Sequence, residues 1–235
     1  MTALWEALHH STLIWLTATL AAFLLGDQLA RVAGRHPLVN PVLVAVTILG
    51  ALLLVTGTEY ATYFTGTAPI HFLLGPATVA LALPIRDNLH LVRKCLLPLG
   101  VALAAGSVAA AVAAVALAHL TGLSDPMLAT LAPKSVTAPV AMPIAERLGG
   151  LPSLTAAMVI LTGITGAIVM VPLMRLLRIT DPRAAGFATG LAAHGIGTAR
   201  ALQLSGTAGA FAGLGMGLNA VLTGFVAPWA LHLFR

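Results

Sequence analysis

Two stretches of this chain set a basic side chain at the same point of the same phrase. LAPKSVTAPVAM runs from Leu131 to Met142, and LAAHGIGTARAL runs from Leu191 to Leu202. Aligned without gaps they match at Leu131 with Leu191, Ala132 with Ala192 and Ala141 with Ala201, and they set Lys134 opposite His194 and Ser135 opposite Gly195. Both copies lie in lipid-like surroundings, where a basic group is costly to bury and marks a binding or proton-handling site. Lys134 can balance a carboxylate, with the hydroxyls of Ser135 and Thr137 as donors beside it. His194 can bind or relay a proton coupled to substrate movement, because an imidazole titrates near neutral pH. Gly195 and Gly197 permit unusual backbone angles or close helix approach, and Arg200 offers a planar fork suited to a carboxylate.

Plainer readings stand beside these. Lys134 can snorkel to an interface or neutralise an internal acid such as Glu146; His194 can be a neutral packing histidine bonded to a carbonyl. Arg200 can be an ordinary cation at the cytoplasmic end of its half-helix. Thr78 is a secondary candidate, because PATV at 76–79 echoes PKSV at 133–136. Asn219, the amide of the last apolar stretch, can face the same cavity or bond between helices. His9, His10, His71, His90, His119 and His232 share no ligand spacing, so no metal site is predicted. No nucleophile, base and orienting acid come together, and no paired carboxylates do; neither an enzyme nor a cofactor is expected.

The elements that must position these residues follow from composition. With 235 residues, 59% hydrophobic and 8% charged, the chain departs far from a soluble domain, in which about a quarter of residues are charged. Apolar runs long enough to cross ~30 Å of hydrocarbon fill most of it, and strand-like alternation is absent, so an all-α polytopic membrane domain over 1–235 is predicted. The net charge of +5 sits between the apolar runs, where it reads as topology signals and contacts to anionic headgroups rather than to nucleic acid. The single cysteine, Cys95, excludes an internal disulfide. The first residues read as the start of a helix rather than a cleaved signal peptide.

Spans are expected at 13–30, 38–55, 70–85, 96–119, 154–177 and 208–234, with breaks near Gly75–Pro76 and Pro84 in the third and an interfacial segment at 56–69. The basic groups Arg31 with Arg35, Arg86 with Arg93 and Lys94, and Arg175 with Arg178 and Arg183 mark cytoplasmic ends. Under that bias the segment 126–150 enters and returns to the outer face and 182–203 dips in from the cytoplasm; the alternative is a full crossing by a broken helix, which would put Arg175 and Arg178 outside against the charge bias. Each follows a long plain helix and opens with Asp-Pro, Asp125–Pro126 and Asp181–Pro182, a sound helix start. About six spans plus two broken or re-entrant elements, near 126–150 and 182–203, then form an inverted repeat of the kind secondary transporters use, with 1–66 as scaffold and 67–235 as transport core.

LLGPATVALALPI, PKSVTAPVAM and GLAAHGIGTARA together resemble the LrgB/CidB family of bacterial membrane proteins, over residues 13–234. The resemblance implies either an antiholin-like or holin-like regulator of murein hydrolase activity and lysis, or transport of a small monocarboxylate. Related plant proteins exchange glycolate and glycerate across the plastid envelope, and bacterial relatives are linked to pyruvate uptake. The motif positions it carries over are Lys134, Ser135, Thr137, His194, Gly195, Thr198 and Arg200. Ala208 departs from the pattern, since similar sequences often have an acid there. The first expectation is a carrier in the bacterial inner membrane that works by alternating access in an elevator-like manner. It would be a homodimer or higher homo-oligomer, proton-coupled at His194, with Lys134 and Arg200 holding a small carboxylate that Ser135, Thr137 and Thr198 orient. The alternatives are a lysis regulator and an accessory subunit for a smaller LrgA-type membrane protein.

Overall fold

The computed structural model describes residues 11–36, 38–80 and 82–235, with the backbone alone at 71, 74, 75, 77, 78, 82 and 84. The expectation for the first ten residues, with His9 and His10, lies outside the described residues. All described elements are α-helices, and they fall into two compact units, Met1–Ala80 and Leu81–Arg235.

The first unit holds α1 (Thr12–Val32), α2 (Pro41–Thr56), α3 (Tyr60–Gly66) and α4 (Ala68–Ala80). Asn40 starts α2 by accepting the Val42 and Leu43 amides at 2.8 and 3.3 Å, with Pro41 at the first helical position, where no donor is needed. Gly57, at φ 64°, ends it. Helices α1 and α2 approach so closely that a Cβ at Gly26 would lie 2.6 Å from the Pro41 carbonyl oxygen. Trp15 stacks edge-on against Tyr63 at 5.7 Å, which seats the short helix α3 against α1.

The second unit holds α5 (Ala82–Asp87), α6 (Leu89–Lys94), α7 (Leu96–Leu120), α8 (Asp125–Leu131), α9 (Ala138–Arg147), α10 (Pro152–Leu176), α11 (Pro182–Leu204) and α12 (Gly206–His232). Helices α1, α7, α10 and α12 are long and apolar enough to cross a membrane. Four of the six expected spans thus meet that length among the described residues, and the expected span at 70–85 includes residue 81, which lies outside them. Helix α2 is apolar but has 16 residues, about 24 Å of rise against ~30 Å of hydrocarbon. The break expected at Gly75–Pro76 is absent too: α4 continues through Pro76 to Ala80.

Contacts between chain ends orient the second unit. Arg183 at the start of α11 reaches Cys95 at the start of α7, and His119 near the end of α7 stacks on Phe234 at 5.7 Å, just beyond α12. The Arg235 guanidinium reaches both Asp125, where α8 starts, and the Leu148 carbonyl, where α9 ends. The Leu151 amide at the head of α10 donates to Thr130 Oγ1 at 2.9 Å, and Thr155 Oγ1 donates to the Thr130 carbonyl at 3.1 Å. Helices α8 and α9 are therefore the two legs of a hairpin with both mouths at the Arg235 end, and 132–137 as its tip.

The helical run α11 is interrupted at His194, where φ is 42° and ψ is −134°. Past that point the chain turns back: a Cβ on Gly197 would lie 2.6 Å from Ala193 Cβ and 2.9 Å from Thr189 Cγ2. In an unbroken helix eight residues would separate Gly197 from Thr189 by about 12 Å. Gly186 and Gly190 of the first leg face the Ala208 and Ala212 carbonyls of α12, while Leu202 of the second leg packs on Gly209. Both ends of α11 thus flank the start of α12, and this second hairpin opens at the Asp181 end, opposite to the first. Two apolar cores follow the hairpins. Val115, Leu128, Ala227 and Leu231 pack around the first, and Met170, Ala185, Ala201, Ala208 and Ala212 around the second.

Candidate functional site

Helix starts explain how the legs are placed. Asp181 caps α11, accepting the Arg183 amide at 2.8 Å while its carboxylate pairs with the Arg183 guanidinium at 2.7 Å. That hydrogen bonding holds the Asp181 carboxyl below its ordinary range. Asp125 does not play the matching part: Ser124 is the cap of α8, and Asp125, the first helical residue, pairs with Arg235 at 3.4 Å. The recurring Asp-Pro starts both legs, through different contacts.

At the first tip, Pro133 is fully buried and lacks an amide donor, and two tight turns follow it: Lys134 N–H to the Leu131 carbonyl and Val136 N–H to the Pro133 carbonyl, at 3.1 and 3.2 Å. Thr137, extended at φ −62° and ψ 145°, begins α9 without a side-chain cap. Pro139 has no amide hydrogen and the Val140 and Ala141 amides both donate to the Thr137 carbonyl at 2.9 Å, so the positive partial charge of this half-helix start is carried mainly by the Ala138 amide. Lys134 and Thr137 are half-buried and Ser135 is buried. Among the described residues, ion pairs join Asp27 to Arg31 and Arg35, Asp181 to Arg183, and Asp125 to Arg235. Lys134 is in none of them, and Glu146 is exposed at the far end of α9, so the structure shows no internal acid neutralising this lysine.

At the second tip, His194 occupies a backbone conformation that costs a non-glycine residue roughly 1–3 kcal/mol. Its imidazole is buried, and Nε2 lies 2.9 Å from the Val159 carbonyl oxygen of α10. The Val159 side chain packs with Val136 and Ala141 of the first hairpin. The two tips therefore meet at one residue of α10, which brings Lys134, Ser135 and His194 to neighbouring parts of the same unit.

The other candidates are placed differently. Thr198 is buried and spends its hydroxyl on the His194 carbonyl at 2.8 Å, so it fastens the turn of backbone after the break. Asn219 is buried and bonded at both side-chain atoms: Nδ2 donates to the Leu191 carbonyl at 2.9 Å, and Oδ1 accepts from Ser107 and Thr223. Leu191 sits three residues before the break, where a helix leaves carbonyls unsatisfied, so Asn219 closes the C-terminal end of the first leg. Arg200 bonds Gln203 at 3.0 Å along the second leg, six residues from the break. Gly195 lies 3.9 Å, as a notional Cβ, from Met216 Sδ. Thr78 lies on α4 in the first unit, and its side chain is outside the described residues. The first unit has a cleft of about 270 Å³ lined by Thr12, Ala61, Thr62, Thr65 and Gly66, which contains none of the candidates.

Ser107, Val159, Gly163 and Thr130 were not singled out from sequence. Only Gly163 carries a usable signal, the GITG pair of small residues at 163 and 166 within a long apolar helix.

Comparison with known proteins places these residues in a family. The LrgB-like family matches residues 19–233. The chain is similar to YxaC of Bacillus subtilis, 34% identical over 95% of this chain and 96% of that one. It is also similar to the holin-like protein CidB of Staphylococcus epidermidis, 34% identical over 85% of this chain and 87% of the relative. A protein of Haemophilus influenzae is 31% identical over 92% and 93% of the two chains. No solved structure matches.

Proposed function

The chain belongs to the LrgB-like family of membrane proteins, and from that premise we propose that the tips of its two oppositely opening hairpins form a site for a small monocarboxylate, of the glycolate, glycerate, lactate or pyruvate class. In this reading the protein is a carrier in the bacterial inner membrane, working by alternating access with an elevator-like movement of the hairpins. The observation that carries it is Lys134, a half-buried cation at the tip of a re-entrant hairpin, in no ion pair among the described residues and beside the start of α9. A cation and a half-helix N-terminus on one small volume favour an anion, and broken helices meeting inside the hydrocarbon are the way secondary transporters build such sites. Ser135 and Thr137 are the nearest hydroxyl donors in sequence. Thr198 and Asn219 bond the His194 and Leu191 carbonyls of the second hairpin, and Arg200 bonds Gln203 along its second leg.

The names of the relatives favour a second reading. CidB of Staphylococcus epidermidis and of Staphylococcus aureus are called holin-like, and none of the three relatives compared above is named for a carboxylate. A holin-like regulator, alone or with an LrgA-type partner, would act by assembly in the membrane and would be indifferent to the charge at Lys134.

Reconstituted vesicles separate the two. The carrier reading expects saturable uptake of a labelled monocarboxylate, no release of a trapped dye, and uptake abolished by Lys134→Ala at equal protein incorporation. Dye release that persists in Lys134→Ala, with no saturable uptake, would establish the holin-like reading in its place.

A further inference from the structure

His194 is seated, rather than merely buried. The Val159 carbonyl can only accept, so the imidazole nitrogen 2.9 Å from it, Nε2, must carry the hydrogen. One turn further along α10 lies Gly163, and a Cβ there would stand 2.7 Å from Cε1 and 2.8 Å from Nε2 of the same ring, and 2.9 Å from Ile196 Cδ1. Residues four apart share a helix face, so the carbonyl of Val159 and the bare Cα of Gly163 form the end wall and the floor of one slot. Gly166, on the following turn, meets Ala193 Cβ in the same way. The face of α10 from 159 to 166 is thus shaped to the break in α11, while the Val159 side chain belongs to the apolar cluster of the first tip, with Val136, Ala138, Val140 and Ala141.

We infer that His194 is a positioning residue, a strut that locks the tip of the second hairpin into the Val159–Gly163 slot and so holds it in register with the tip carrying Lys134. The inference rests on the reading of the two tips as one site, but it concerns the strut and not the ligand. It reassigns His194 from proton carrier to anchor and adds Val159 and Gly163 to the residues that shape the site. It also accounts for a histidine at a backbone angle that suits glycine: the ring's bond to α10 offsets the strain of the break.

Two measurements test it, neither of which reads anion binding, so failure of the anion reading leaves them intact. The first is ¹⁵N NMR of histidine-labelled protein in nanodiscs, with the His194 signal identified by its loss in His194→Gln. The strut requires hydrogen on Nε2, and a ring with Nε2 bare would overturn it. The second is a double-mutant cycle on thermal stability. Gly163→Ala should lower Tm by roughly 5 °C in the native background, and by less than about half as much in His194→Ala, where the vacated ring leaves room for the methyl. Equal losses in both backgrounds would show that the Ile196 contact, and not the histidine, sets the cost of a methyl at Gly163, and would overturn the strut. His194→Gln, whose amide can also donate, should keep more of the native Tm than His194→Leu, which cannot. If Gly163→Ala alone fails to fold, the His194→Ala/Gly163→Ala double variant and the tautomer still decide the matter, since the strut requires the double variant to fold.

Discussion

The two hairpins solve the same problem, reversing the chain inside a membrane domain, by different means. The first turns over six residues, 132–137, between separate helices α8 and α9, and ties its mouths with side chains: Thr130 to the head of α10, and Arg235 across Asp125 and Leu148. The second turns at one residue, His194, and ties itself by contact, with Gly186 and Gly190 against α12 and Gly197 against its own first leg. Tips differ accordingly. The looser one exposes Lys134 in part, while the tighter one buries His194 and spends its polar groups on backbone carbonyls, that of Val159 in α10 and that of His194 in its own turn. A lipid-embedded reversal must satisfy every backbone group it frees, and the tighter the turn, the more of its side chains that task consumes. On the proposed reading, one hairpin offers charge and the other is the surface against which that charge is held.

The sharpest way to break this contrast is to attack the second hairpin where backbone meets backbone. A Cβ at Gly190 would run into the Ala212 carbonyl oxygen of α12, and no side chain there can yield. Gly190→Ala should cost 3 kcal/mol or more, the top of the usual overpacking range of about 1–3 kcal/mol, read as loss of folded protein after detergent extraction. The first hairpin has one close backbone approach as well, since a Cβ at Gly150 would lie 2.7 Å from the Thr130 amide nitrogen and 2.9 Å from the Ala129 carbonyl carbon, and its other weakness is polar. Thr130→Val removes the acceptor of the Leu151 amide and should cost about 1–3 kcal/mol in thermal unfolding.

Asn219→Leu should cost a similar about 1–3 kcal/mol, by orphaning the Leu191 carbonyl and two hydroxyls. If Asn219 lined a substrate path instead, the change would alter uptake with unfolding untouched. The finest test compares substitutions at the break. His194→Ala keeps the unfavourable φ and loses the bond to Val159, whereas His194→Gly loses the bond and relieves the angle. The glycine variant should be the more stable of the two by about 1 kcal/mol, within the range set by such strain. An alanine variant as stable as the glycine one would mean that the turn is not strained, and the contrast between the hairpins would lose its basis.

Much of this was legible. The repeat placed Lys134 opposite His194, and the structure puts both at hairpin tips. Charge bias and Asp-Pro pairs located the legs, because burying backbone polar groups in lipid leaves few options for a 25-residue segment between two long helices. Span counting is matched in part: among the described residues four helices have the length and apolarity of a crossing, and α2 is apolar but has only 16 residues. The glycines at 195 and 197 were expected to permit unusual backbone angles or close approach; His194 takes the unusual angle. Gly197 is there for close approach to Thr189 and Ala193. A sequence cannot show that a neighbouring helix will hold a strained residue in place.

By itself, then, the sequence determined that this is a helical membrane protein, that its chain is interrupted twice in matching places, and that a basic residue stands at each interruption. Those are consequences of hydrophobicity, proline and charge, which act through solvent and local backbone. Only the tertiary structure decided that the two basic residues are unlike in their surroundings, Lys134 half-buried and outside the ion pairs of the described residues, His194 buried and bonded to the Val159 carbonyl. Whether a polar atom is free for a ligand depends on which carbonyl or hydroxyl comes within about 3 Å of it, and for His194, Thr198 and Asn219 those partners lie on the chain itself, some a single turn away and others as far off as α7 and α10.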